Sequence, residues 1–518
     1  MINDLYMVIF PSFHMRKKIL CWFTLDFTQF FVVNRLSKLM DADFYAIYDL
    51  PDKTAEFFKE QQITDFKKSW FFHDEILKNR PLDLEYLKKF EEETQIDLMK
   101  LAINERTFYR FYDFHKFSHE EILSILQDEV RFFEKVVEEV KPDYVITREP
   151  GMHHHVLFYE FCRKKNIIPL MLTQMNLGYK CCISTRVQNF DKKYDNTKRS
   201  HKSFSELMKY QKKYNSLTAN KAQNGHVIKE AKINEIKNIF KAGFEYFLHN
   251  DNSNVKTHYT YFGRTKTRVL FYTLSVLLKT KFRKRFIDKN LVRFPNYSSD
   301  FVYYPMSLNL ERNLLVNSPL INNQIETIRQ IAKSLPPNYK LFVKEHPHQI
   351  SRGWREIREY KELMDIPNVE LLHPSVPGDE ILKKCKSVIC TGGTTGLEAA
   401  FYGKPTIVFS DLYYSELPSV KKVTEITKLP EIIRNSLNIK VESTDLSSFV
   451  DFIDSNTFDF DQWKLSDNVL KKFFKNGNLH DCKILEEDML DFSQKNQSVI
   501  DDLVKKFLNK FQSIEAVQ

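Results

Sequence analysis

The chain's 518 residues leave room for two domains and an insertion, and 42% hydrophobic with 28% charged residues describes a soluble or peripheral protein with full cores. A net charge of +9 is modest for this length. It admits anionic substrates and headgroups, while the lack of an RNA-binding aromatic motif beside the charge excludes nucleic acid as the expected partner. Seven cysteines, an odd set without CxxC spacing, argue against a disulfide framework or a zinc ribbon and point to a reducing cytoplasm.

The apolar stretch Leu5 to Phe13 follows an acidic Asp4 and has no small-residue cleavage site, so no secretory signal is expected. Lys18 to Phe23 reads as a first strand, Phe30 to Leu39 as the helix after it and Asp43 to Asp49 as a second strand. Asp26, just past the first strand, is a candidate base by position. Residues 52 to 135 turn mostly helical, with Ser118-His119-Glu120-Glu121 forming a capping-box pattern before Ile122 to Val140. A strand from Pro142 to Thr147 leads into Arg148-Glu149-Pro150-Gly151-Met152-His153-His154-His155, then a helix from Val156 to Lys165 and a strand from Ile167 to Leu172. This alternation predicts an α/β domain over residues 1–184.

The turn between that strand and helix can supply a general base: Glu149, with His153 or His155 beside it, would activate an acceptor hydroxyl. Helix capping and solvent contact explain the same residues equally well. Three adjacent histidines point in different directions at a helix start, so shared ligation of one metal ion is not expected.

Residues 185–297 read as an insertion, with polar loops at 191–226 and 246–258 around an apolar helical pattern from Ile228 to Phe247. The segment 264–289 is both basic and apolar. It is either a helix packed on the core with solvated ends or an element lying on an anionic membrane surface. Its apolar run Val269 to Leu278 is too short to span a bilayer. Strand and helix patterns then alternate over residues 298–430, a second α/β domain, and helices follow over 431–518, the last from Val499 to Phe511 packing back on the first domain.

The second domain concentrates the chemistry. Of 12 glycines in the chain, four (Gly392, Gly393, Gly396, Gly403) fall in one short stretch, Cys390-Thr391-Gly392-Gly393-Thr394-Thr395-Gly396-Leu397-Glu398-Ala399-Ala400-Phe401-Tyr402-Gly403-Lys404-Pro405. A strand, a Gly/Thr turn and a helix start near Thr395 make an anion site, because first-turn N–H groups lack internal partners and carry partial positive charge. Glu398, one turn on, can accept hydrogen bonds from ribose hydroxyls. A second strand, Leu341-Phe342-Val343-Lys344-Glu345, ends at His346-Pro347, so Lys344 and His346 meet the same sheet edge.

The His-Pro pair, the Gly-Gly-Thr-Thr-Gly-Leu-Glu-Ala-Ala turn and Tyr-Gly-Lys-Pro resemble the nucleotide-sugar half of GT-B glycosyltransferases, and within them the capsule polysaccharide biosynthesis proteins that include bacterial Kdo transferases. Tyr303-Tyr304-Pro305-Met306-Ser307-Leu308 with Glu311-Arg312 resembles the opening of that family's second domain, although Ser307 and Leu310-Glu311 stand where a histidine and Pro-Glu are usual. The resemblance implies two Rossmann-like domains facing a cleft. It implies a nucleotide-sugar donor held by Lys344, His346, Pro347, Gly392, Gly393, Thr394, Thr395, Glu398, Glu311 and Arg312, and a glycan or lipid-linked acceptor activated by Glu149, His153, His155 or Asp26. His346-Pro347 and Thr394-Thr395 match the pattern that holds the cytidine nucleotide in CMP-sugar transferases, which implies a CMP-activated acidic sugar such as Kdo. No cofactor and no strictly required metal are implied, and the location is cytoplasmic or peripheral on the inner membrane face. If the anomeric configuration is retained through a covalent intermediate, Glu149 would be nucleophile rather than base. A UDP-sugar 2-epimerase, a CDP-glycerol phosphotransferase (whose Asp-Tyr-Ser-Ser glycine turn is absent here) and a non-catalytic partner in capsule assembly are the rival readings.

Overall fold

The computed structural model describes residues 16–76, 80–109, 112–175, 177–195, 197, 200–217, 258–309, 311–318, 321–477 and 480–516. The Leu5–Phe13 patch, the Ile228–Phe247 pattern, the end of the 191–226 segment and nearly all of 246–258 lie outside them. The middle of 191–226, expected as a polar loop, is instead the helix Phe204–Leu217, which forms because Leu207 and Tyr214 pack into a core. The strands are β1 (Lys17–Phe23), β2 (Ala42–Tyr48), β3 (Lys68–Phe71), β4 (Tyr144–Thr147), β5 (Ile168–Gln174), β6 (Lys180–Ser184), β7 (Phe301–Pro305), β8 (Lys340–Lys344), β9 (Val369–Leu372), β10 (Ser387–Cys390), β11 (Thr406–Val408), β12 (Val420–Lys422) and β13 (Phe458–Asp459).

They form two sheets, ordered β13-β6-β5-β4-β1-β2-β3 and β12-β11-β10-β7-β8-β9. The second is wholly parallel, while the first carries an antiparallel edge where β6 meets β5 and β13 meets β6. This is the mixed α/β architecture of two Rossmann-like domains that the sequence predicts. Within β1 the alternation is legible: Ile19, Cys21 and Phe23 enter one core, Leu20 and Trp22 the other, so both faces of the sheet are covered.

The capping box is formed, with the Ser118 hydroxyl accepting from the Glu121 N–H and the Glu121 carboxylate from the Ser118 N–H ahead of helix His119–Val140. The chain's end returns to the first sheet: Met489, Phe492, Ile500, Leu503, Phe507 and Phe511 share a core with Ile19, Phe30 and Phe31, and Arg35 pairs with Asp501 at 2.8 Å. A further apolar core joins the two halves, Met175, Leu177, Cys182 and Leu207 packing with Leu397, Phe401, Tyr413 and Tyr414.

Each sheet reverses its winding once, between β1 and β4 in the first and between β7 and β10 in the second. Ligand crevices of open α/β sheets form at the carboxyl ends of such strand pairs. The turn after β4 and the segment after β7 touch directly, through an ion pair between Glu149 and Arg312 at 2.5 Å. The two carboxyl edges therefore face one another.

Candidate active site

The second-domain edge is assembled from three segments. After β7, the Ser307 N–H donates to the Gln324 side-chain oxygen at 2.7 Å and the Gln324 amide returns a bond to the Ser307 carbonyl at 2.9 Å. The Ser307 hydroxyl meets the Thr391 hydroxyl at 2.7 Å, which ties the segment after β7 to the glycine turn after β10. After β8, the fully buried Glu345 accepts from Arg355 Nε at 2.7 Å, from the Tyr360 hydroxyl at 2.9 Å and from the His346 N–H at 2.8 Å. Arg355 also donates to the Ser307 carbonyl at 2.7 Å, so one buried ion pair sets both segments. A charge pair this deep is costly to form and more costly to break, which suits it to holding loops in one place.

His346 inherits its orientation from that frame. Its Nδ1 accepts the His348 N–H at 3.2 Å, so in the neutral ring the proton sits on Nε2, which is left as a donor. Burial, helped by His348, Lys344 and Arg355, pushes its pKa down to about 4, so the ring is neutral near pH 7. Pro347 starts the short turn Pro347–Arg352 and is exposed. Lys344 is buried, and burial draws its amine down to about 8 despite Asp379 and Glu398.

The glycine turn leads into helix Thr395–Phe401, as its sequence predicts. Thr394 does not cap the helix; its hydroxyl donates to Glu398 at 3.2 Å. Burial raises the Glu398 pKa, with the Thr394 bond and Lys344 opposing it. The glycines divide by role. A side chain on Gly393 would meet nothing within 4 Å, so the backbone there is open to approach, whereas one on Gly396 would strike the Tyr414 hydroxyl at 2.5 Å. Gly396 is therefore a packing glycine. Gly403 turns the chain after the helix at φ 68°, and Gly392 is buried. Glu311 and Arg312 lie after β7; burial raises the Glu311 pKa against the pull of Arg312.

The first-domain candidates are scattered rather than gathered. Glu149 accepts from Arg312 and from the Gln188 N–H at 2.8 Å, so both oxygens are engaged and it is held as an interdomain clasp. Asp26 accepts the Thr28 N–H at 3.2 Å and the Ser466 hydroxyl at 2.9 Å. The histidines stand inside the helix His153–Lys164, not in the turn before it, because Glu105 accepts the His153 N–H at 2.8 Å and supplies the cap. His153 lies between Glu105 at 3.0 Å and Glu129 at 2.9 Å with no exposed side chain; burial alone would lower its pKa, but the two carboxylates hold it up at about 10. A buried, paired imidazolium cannot take an acceptor's proton, so His153 positions the turn rather than acting as a base. His154 and His155 instead approach Asp49, at 3.1 and 3.0 Å. A cavity of about 330 Å³ lies between the halves, lined by Asn104, Glu105, Arg106, Gly151, His153 and Leu315 among others.

Glu345, Arg355, Tyr414 and Asp49 were given no role by the sequence reading, while Ser307 and Thr391 were noted by position without the bond that joins them. A lone glutamate ending an apolar strand signals that Glu345 needs a buried partner, but nothing local points ten residues on to Arg355.

Residues 198–417 match the family model described as capsule polysaccharide biosynthesis protein, which bears out the resemblance over that stretch. No curated protein sequence matches the chain. Similar solved structures include a UDP-GlcNAc 2-epimerase from Methanocaldococcus jannaschii (13% identity, 85% of this chain and 98% of that one, TM-score 0.24) and the Thermosulfurimonas dismutans KpsC beta Kdo 2,7 transferase (13% identity, 68% and 90%, TM-score 0.29). A Neisseria meningitidis UDP-GlcNAc 2-epimerase aligns at 11% identity over 85% of this chain and 99% of that one, TM-score 0.22.

Proposed function

We propose that this protein is a glycosyltransferase of surface polysaccharide synthesis that takes an acidic sugar from a CMP-linked donor to a glycan or lipid-linked acceptor. The observation that carries the reading is His346: a neutral ring with its Nε2–H free to donate, near Lys344, at the carboxyl edge of the second sheet that also carries the open Gly393 backbone. Those groups stabilise negative charge developing on a leaving phosphate without requiring a metal. Thr394, Thr395 and Glu398 complete the donor side. The acceptor side is the turn after β4, where release of Glu149 from Arg312 would free a carboxylate for the acceptor hydroxyl. The family match over residues 198–417 supports the capsule assignment.

The reading includes contact with an anionic membrane surface through helix Lys266–Asn290. In its support, Phe271, Leu278 and Phe282 are 70%, 69% and 66% exposed, among Lys279, Lys281 and Arg285, and Asp288 is the helix's single acid. Among the described residues no helix is long and apolar enough to cross a membrane.

Thermal unfolding with CMP, CDP, UMP, UDP and GDP tests the donor site in wild type and His346→Ala. A ligand at a hundred times its Kd stabilises by about 2.7 kcal/mol. Stabilisation by CMP alone, lost in the variant, is expected. A response to UDP alone would move the protein toward the epimerase reading, and no response to any nucleotide would favour the non-catalytic partner.

A further inference from the structure

The carboxyl edge of the first sheet holds a cluster to which the proposed transferase reading gives no role. Asp49 follows β2, His73 follows β3, His154 and His155 open the helix after β4, and His258 arrives from a distant segment. All five converge. Asp49 Oδ2 lies 3.1 Å from His154 Nε2 and 3.0 Å from His155 Nε2, and Asp49 Oδ1 lies 2.9 Å from His73 Nε2. The ligand atoms of Asp49, His154 and His155 fall within 4.8 Å of one another, as do those of Asp49, His73 and His258.

We propose that Asp49, His154 and His155 bind a divalent transition-metal ion, with His73 fixing the carboxylate from its other oxygen and His258 stacked on His73. Ligand bonds of about 2.0–2.1 Å in a tetrahedral site put donor atoms roughly 3.3 Å apart, so a small outward movement of the two rings admits an ion. Two imidazoles and a carboxylate leave a coordination position open for water or a ligand. The surroundings are those of a supported site. His154 Nδ1 meets the Tyr259 hydroxyl at 3.2 Å, and that hydroxyl lies 3.4 Å from Glu129, an outer partner that orients the ring for ligation through Nε2. The Trp22 ring packs against both imidazoles, with centroids 6.0 and 5.4 Å away, and walls them on one side. His73 and His258 stack at 3.3 Å.

Asp49 keeps 13% of its side chain and His155 8% exposed, so the point of convergence remains within reach of solvent. Simple packing does not call for this set. Four imidazoles from three segments around one carboxylate bring two donor nitrogens onto the same oxygen, and the Nδ1 atoms of His73 and His155 are buried without a hydrogen-bond partner. The three adjacent histidines do not ligate as a run. Here His153 turns away to Glu105 and Glu129, and only two of the run remain, joined by an aspartate from another strand.

The test uses the full chain, stripped with chelator and dialysed against Zn²⁺ or Co²⁺. One equivalent of Zn²⁺ retained by wild type, with visible Co²⁺ absorption bands of tetrahedral intensity, is expected. Asp49→Ala and His155→Ala should each weaken binding by on the order of 100-fold, His73→Ala by roughly 10- to 100-fold, and the second-domain control His348→Ala not at all. Retention of Zn²⁺ unchanged in Asp49→Ala, or none in wild type, overturns the site. Should the variants fail to fold, X-ray absorption on Zn²⁺-loaded wild type decides: two imidazoles with oxygen neighbours support it, and any other first sphere overturns it.

Discussion

At the scale of single residues, the second-domain edge proposed to hold the donor is governed by how deeply charge is buried. Lys344 illustrates the sign. Its amine titrates near 8 in the folded chain, against 10.5 ordinarily, because burial penalises the ammonium. Between those values the folded chain has given up a proton that the unfolded chain keeps, so this group's contribution to stability rises with pH from about 8 to 10.5, and its full cost is present below 8. Nucleotide binding should run the other way, since the phosphate wants the ammonium. Affinity for the responding nucleotide is expected to be flat below pH 8 and then to fall by roughly tenfold per unit, with Lys344→Arg flat throughout. Calorimetric titration across that range checks it; a wild-type profile without the fall would remove Lys344 from the phosphate site. At this scale the strand end at His346-Pro347 and the glycine turn into helix Thr395–Phe401 stand where the sequence puts them, because both are local signals. It was a poor guide to Glu149, His153 and Asp49, whose behaviour is set by Arg312, Glu105 and His73, residues distant in the chain.

At the scale of elements, what reads well is what local chemistry determines. The strands predicted over Lys18–Phe23 and Pro142–Thr147 and the Ser118 capping box appear where their patterns place them, as β1, β4 and the cap of helix His119–Val140. β3, β6 and β13 were not foreseen. Each is a sheet-edge strand or sits beside the antiparallel edge, and the two-residue β13 exists only because residues from the far end of the chain pair with Cys181 and Lys180. The start of helix His153–Lys164 was missed by three residues for the same kind of reason: its cap is Glu105, 48 positions away. The helix Lys266–Asn290 was foreseen as basic and apolar, and its exposure now supplies an element-scale prediction. Phe271→Asp with Leu278→Asp removes apolar contact at a surface that stabilises nothing inside the protein, so unfolding should change by less than about 0.5 kcal/mol per site. Co-sedimentation with phosphatidylglycerol vesicles should drop severalfold, while neutral phosphatidylcholine vesicles bind neither form. Equal sedimentation of variant and wild type would assign the helix some other cover.

At the scale of the molecule, the question is how two sheets with facing edges are kept in register. Domains joined through modest polar interfaces move relative to one another by default, and most two-domain transfer enzymes use that motion to admit substrates. Here the interface is of two kinds. The apolar core shared by Met175, Leu177 and Leu207 with Leu397, Phe401 and Tyr413 resists separation, reinforced by the Tyr413 hydroxyl on the Met175 carbonyl. Polar bonds exchangeable with water add to it, among them Asn104 with Asn322, Gln188 with Asn317, Tyr194 with Glu416, and Glu149 with Arg312. The last is the strongest of these and also engages the carboxylate proposed for the acceptor. With side chains 8% and 24% exposed, Glu149 and Arg312 are shielded enough for a cycle of Glu149→Gln and Arg312→Met to show a coupling of about 1–3 kcal/mol in denaturant unfolding. If the pair holds the cleft shut, Arg312→Met should also raise the radius of gyration in solution scattering, and saturating nucleotide should bring it back, because donor contacts then replace the clasp in favouring the closed form. A coupling near zero with an unchanged radius would mean that the apolar core alone sets the domain angle. Glu149 would then owe its position to the Gln188 N–H, and the acceptor's base would have to be sought along Asp26 and the β1 edge.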